Sequence, residues 1–223
     1  MNVEAKPAPW RRGGDATKSR IWKPLRLMLA AGLAATVLAA PAHGSAATRD
    51  TSLVFGFGSA NQVSGAWSAL VRNDNGVAMT FHTSGLAPGS ATTVWWVVFN
   101  HPELCTHPDL VLGLRCGEGD LPPFGGDPVV QASVLYATGH VIGGNGTGNF
   151  GAYLSEGDTT GALFGPGLLD ARVADVHLIA RTHGQAIPGL IPEQIGTFNG
   201  GCLPGEPNVG QCMNVQASPH EAT

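Results

Sequence analysis

The chain has 223 residues, with 12 Lys and Arg against 16 Asp and Glu and a formal net charge of −4. Lys6, Arg11, Arg12, Lys18, Arg20, Lys23 and Arg26 all lie in the first stretch, so from residue 43 onward only five arginines face fourteen carboxylates, a net charge of −9. That balance repels phosphate backbones and anionic headgroups and argues against nucleic acid as a partner.

The early cations precede the apolar run "LMLAAGLAATVLAA" and small residues that read as a cleavage site, the pattern of a signal peptide over residues 1–42. The run is too short to span a bilayer comfortably, so no membrane span is expected after cleavage. Cleavage after "APA" leaves His43 first, and "SAA" ending at Ala47 is the alternative. Arg11 and Arg12 are followed by "GGDA", without the apolar continuation of a twin-arginine signal, which favours ordinary secretion. Residues 43–223 suffice for one domain, with a tail expected to fray from about 217.

Past the leader, two-residue alternation and turn chemistry dominate, and no segment sustains a helical apolar period. "GAWSALVR", "NDNG" and "VAMTFHT" predict a hairpin with Val77, Met79 and Phe81 inward and His82 on the opposite face. "TTVWWVVFN", Thr92 to Asn100, is apolar on both faces and predicts a central strand buried from two sides. The connection from Cys105 to Pro128 is polar and rich in proline and glycine, a long loop stapled by a disulfide. "VVQASVLYATGHVIG" and "GTGNFGAYL" predict a second hairpin through Gly143–Gly146, and a glycine-rich loop with a short helix follows between Ser155 and Arg172. "ADVHLIARTHG" sets Val176, Leu178, Ala180 and Thr182 on one face of a strand and His177, Ile179, Arg181 and His183 on the other. A last short strand is expected from Gln194 to Phe198.

In an oxidising compartment the four cysteines pair most cheaply with their neighbours, Cys105 with Cys116 and Cys202 with Cys212, each bridge contributing roughly 2–4 kcal/mol. The fold expected is all-β, a single-domain antiparallel β-sandwich with long disulfide-stapled loops.

The stretches "SGLAPGSATTVWWVVFNHPELC", "YATGHVIGGNGTGNF" and "ADVHLIARTHGQAIPG" with "EQIGTFNGGC" resemble a group of exported bacterial proteins. More distantly, the Gly-Leu-x-Pro-Gly turn before a central strand and the late Val-His strand resemble the CHRD domain, a secreted β-sandwich found in chordin. The resemblance implies a fold and an extracellular or cell-envelope setting, and it carries no activity.

Several histidines in a chain without lysine beyond Lys23 raise a copper or zinc site. His177 and His183 stand roughly 20 Å apart along an unbroken strand and cannot share an ion. His101, His107 and His183 form a candidate set only if the ends of their elements meet. Arg181 is either a surface cation or a buried one, and in the second case it needs a partner, with Asp175 and Glu193 as the carboxylate candidates. Glu103, Asp109, Glu118 and Asp120 match no EF-type loop and read as a solvated loop face. No G-x-S-x-G elbow or reactive cysteine marks a hydrolase. The expected role is a non-catalytic module that binds an extracellular ligand or protein, with a copper- or zinc-dependent protein as the alternative.

Overall fold

The computed structural model describes residues 45–223, and the expected signal peptide over 1–42 lies outside the described residues. Nine strands follow in order: β1 Thr48–Gly56, β2 Gln62–Asn73, β3 Gly76–Thr83, β4 Ser90–Phe99, β5 Ala132–Val141, β6 Gly148–Ser155, β7 Ala162–Phe164, β8 Asp175–Gln185 and β9 Met213–His220, with four short 3-10 turns between β4 and β5 and one α-helical turn, α1, at Ile191–Gln194 before β9. They form one antiparallel sheet in the order β6-β3-β2-β1-β9-β8-β4-β5-β7, curled into a half-barrel. The fold class is therefore all-β, as the alternation predicts, and its layers belong to a single continuous sheet. The two halves of the sheet are joined where β1 meets β9 at Phe55 and Ala217.

The inner face holds the main core. Leu70 on β2, Val77, Met79 and Phe81 on β3, and Trp96 on β4 all point there and are buried. The hairpin of β2 and β3 turns on Asp74 and Asn75, and Gly76 opens β3 at φ +153°. A Cβ at Gly76 would lie 2.2 Å from the carbonyl oxygen of Leu154 on β6, so the close strand contact requires glycine.

A second core lies on the outer face. Every residue of β4 is buried, because Trp95, Val97 and Phe99 pack outward under the loops while Val94, Trp96 and Val98 pack inward. Ile179 and Ala217 continue this outer layer from β8 and β9. Trp95 makes edge contacts with Tyr136 and Phe198 at 5.6 and 5.1 Å, which closes the layer beneath the second disulfide loop.

Four local expectations are corrected. The segments before and after Gly143–Gly146 do not pair with each other: β5 pairs with β4 and β7, and β6 pairs with β3. Both edges of β5 are occupied, so the glycine-rich connection crosses the open side of the half-barrel, where His140 stacks on Phe150 at 4.2 Å. The glycine-rich loop after Ser155 supplies β7 in place of a helix, and the stretch at Gln194–Phe198 supplies the end of α1 and a turn in place of a strand. Gln194 explains the latter, since its buried amide donates to the carbonyls of His183 and Gln185 and accepts from the Ile187 N–H. The tail from 217 is ordered within β9, paired to β8 from Thr182 opposite Met213 to Val176 opposite His220. Among the described residues no helix is long and apolar enough to cross a membrane.

Candidate functional site

The first disulfide loop arches over the outer face of β4, β8 and β9. Cys105 and Cys116 are bridged, with 5.2 Å between their Cα atoms, and Cys202 and Cys212 likewise at 5.9 Å, so both pairings are those expected from proximity. Asp120 is the centre of the first loop and not part of a solvated face. It is fully buried and accepts the N–H groups of Thr106, His107 and Gly117 at 2.9, 3.0 and 3.2 Å. Burial alone would raise its pKa, and these hydrogen bonds overcome that, holding the carboxyl below its ordinary value. Asp109 accepts the N–H groups of Val111 and Leu112 and so caps the tip of the loop.

A second clamp ties the loop to the sheet. Arg115 donates to both oxygens of Asp175 at 2.7 and 2.8 Å, and the Ala222 N–H joins at 2.6 Å. Asp175 is fully buried at the start of β8, and this bidentate pair meets the charge that its burial leaves.

Between the loop and the sheet lies a cleft of about 590 Å³, within the range of small-molecule sites. Its floor is Val97 and Phe99 of β4, Ile179 of β8 and Ala217 of β9, and its roof includes Leu114 and Leu121. His177 lines this cleft, its ring 5.2 Å from that of Phe99 in an edge contact. Its Nε2 is the one buried side-chain polar atom without a hydrogen-bond partner among the described residues. Burial holds its pKa down to about 4, so the ring is neutral at neutral pH. Buried polar atoms are ordinarily paired, and leaving one unpaired costs about 1–3 kcal/mol.

The expected metal set does not assemble. Phe99 lies opposite Asp175 and Thr93 opposite Arg181, so the end of β8 runs beside the start of β4. His183 is therefore at one end of β4 and His101 beyond the other, roughly 25 Å away by strand rise. His101 contacts Gln131 and Glu103, at 3.1 and 3.4 Å, and His107 contacts Asp120 at 3.3 Å. His183 has no free lone pair. The Gly200 carbonyl can only accept, so Nδ1–H donates to it at 3.1 Å, while Nε2 accepts from the Thr93 hydroxyl at 2.9 Å. Thr93 in turn accepts from Trp95 Nε1–H. His183 does lie with Cys202 and Cys212, and Asp120 with Cys105 and Cys116, at metal-ligand spacing. In both sets the sulfurs are joined as disulfides and offer no thiolate.

The ion pair expected for Arg181 is also replaced. Arg181 is buried, and it donates to the carbonyl oxygens of Phe198 and Cys212 and to the side-chain oxygens of Asn199 and Asn214. Its guanidinium lies 3.9 Å over the Phe198 ring. Asp175 is taken by Arg115, and Glu193 in α1 makes no ion pair with Arg181 among the described residues. Neutral acceptors and a ring face satisfy this cation, because the second disulfide loop brings carbonyls, not carboxylates, over it.

One array has the outline of a hydrolytic triad, and nothing in the sequence signals it. His220 on β9 lies between Asp50 on β1, at its Nδ1, and Ser68 on β2, 2.6 Å from its Nε2. Asp50 can only accept, so Nδ1–H of His220 points to it and Nε2 of the neutral ring turns its lone pair to Ser68, the proton order of a triad. A nucleophilic serine must also be reached by its substrate, and Ser68 is fully buried, as is Ser218 2.6 Å away. The array is a structural relay joining β1, β2 and β9.

Comparison of the chain with protein-family models, curated proteins and solved structures finds no match, so the cleft is interpreted from its own geometry.

Proposed function

We propose that the chain acts outside the cytoplasm as a non-catalytic binding module whose ligand site is the cleft beneath the first disulfide loop. The observation that carries this reading is His177, which lines the cleft and whose Nε2 is buried without a hydrogen-bond partner. Such a group lowers stability and is retained where a site requires it. Two disulfides suit an oxidising compartment, and the resemblance to exported proteins and to the CHRD domain points the same way. The full burial of Ser68 closes the nearest route to hydrolysis.

Nile red, a neutral apolar dye, tests the cleft directly. One equivalent should bind with a blue-shifted emission, and Ala217→Trp, which fills the floor from β9, should abolish the signal while the unfolding midpoint stays within a few degrees. An unchanged titration in Ala217→Trp, or no binding by the native chain, contradicts the reading.

A further inference from the structure

The cleft is uneven in a way that defines its occupant. Val97, Phe99, Ile179, Ala217, Leu114 and Leu121 supply its apolar walls, His107, Asp109, Glu118 and Asn214 add polar lining, and the unpartnered buried polar atom among the lining residues is one imidazole nitrogen, Nε2 of His177. At the mouth stand Leu110, 86% exposed at the loop tip, and Phe57, 39% exposed beside β1. Both are large apolar side chains that an occupant reaching the mouth would cover.

From this we infer that the cleft binds an uncharged molecule with an apolar body and a single hydroxyl, an alcohol or phenol, whose hydroxyl pairs with Nε2 of His177. The inference rests on the binding-module reading and specifies its ligand. A hydroxyl both donates and accepts, so it satisfies Nε2 in either tautomer, which an ether or a ketone does not. Charge is disfavoured on both counts. Asp109 and Glu118 line the cleft, and the field at His177 also includes Glu221 and His220, so an anion meets carboxylates on entry. The ring itself is neutral above about pH 4 and offers an anion no counter-charge. A cation entering the deep end finds no free carboxylate, because Asp120 is occupied by three N–H groups and Asp175 by Arg115. Desolvating either ion there is unfavourable, whereas a hydroxyl exchanges its water for one protein hydrogen bond.

Competition against Nile red on the full folded chain provides the test, with thymol, thymol methyl ether and para-isopropylbenzoate as probes of similar shape. Thymol should displace the dye about tenfold more effectively than the ether or the acid, the worth of one buried hydrogen bond. His177→Phe should bring the ratio of thymol to ether displacement close to one. The imidazole Nε2 chemical shift of His177, followed in the native chain, should move on adding thymol and not on adding the ether, a readout that does not depend on the variant folding. Equal displacement by thymol and its ether, or stronger displacement by the acid, overturns the hydroxyl assignment and leaves the cleft reading standing. Failure of the dye and all three probes to bind overturns the cleft reading, and the assignment with it.

Discussion

Between pH 6.5 and pH 4 the folded protein should lose about 3 kcal/mol of stability for each of His177 and His183, measured by urea unfolding across that range. Burial is the main cause at both residues and holds each pKa down to about 4 in the folded state, against 6.5 as the ordinary value. At His177 the carboxylates Glu221 and Asp109 pull the other way and His220 adds to the depression; at His183 the Gly200 carbonyl raises the value and Arg181 lowers it. Above pH 6.5 both states hold the rings neutral and pH does not matter. As pH falls below it, the unfolded chain takes up protons that the folded one refuses, so stability declines until about pH 4 and then levels off for these groups. Asp120, whose pKa is lowered, withdraws its contribution only as pH falls below the ordinary carboxylate range, so the window between belongs to the histidines. A flat profile from pH 6.5 to pH 4 contradicts the buried, neutral assignment.

His220→Ala should destabilise the protein by about 3–5 kcal/mol, the range for breaking a buried charged or hydrogen-bonded network and leaving a cavity. His220 links Asp50 and Ser68 from the inner side of β9, and its carbonyl accepts from Arg72, whose buried guanidinium also donates to Ala171 and Ala174. Removing the ring leaves Ser68 buried beside a void and loosens the seam where the first and last strands meet. Equilibrium unfolding checks the magnitude; a loss below about 1 kcal/mol contradicts a structural relay. The same relay predicts that a fluorophosphonate leaves Ser68 unlabelled in the native protein, since the hydroxyl is fully buried and out of the reagent's reach.

What was legible in the sequence follows from patterns that burial imposes on one strand at a time. The apolar run of β4 announces a strand covered on both faces, and the spacing of Cys105, Cys116, Cys202 and Cys212 announces local bridges. What was not legible depends on which edge or face a segment meets. Glycines 143, 144 and 146 signal a reversal, but turn chemistry does not say that both edges of β5 are already filled. β9 escaped because its inward residues are Gln216, Ser218 and His220, polar groups serving a network, so the alternation carried no apolar signal, and Pro219 further masked it. Arg181 is costly to bury, yet its acceptors include loop carbonyls that no charge pattern reveals. The two histidines of "ADVHLIARTHG" share a face and divide its roles: His183 is fully hydrogen-bonded within the fold, and His177 is not.

That division gives the most direct test. If His177 is kept for a ligand and not for the fold, His177→Leu should raise stability at pH 7 by about 1–2 kcal/mol, because an apolar side chain of similar size replaces an unpaired buried polar atom among Val97, Phe99 and Ile179. The measurement is the unfolding free energy of the variant against the native chain, without ligand. A loss of 1 kcal/mol or more would show that the imidazole holds the structure together and would contradict the account.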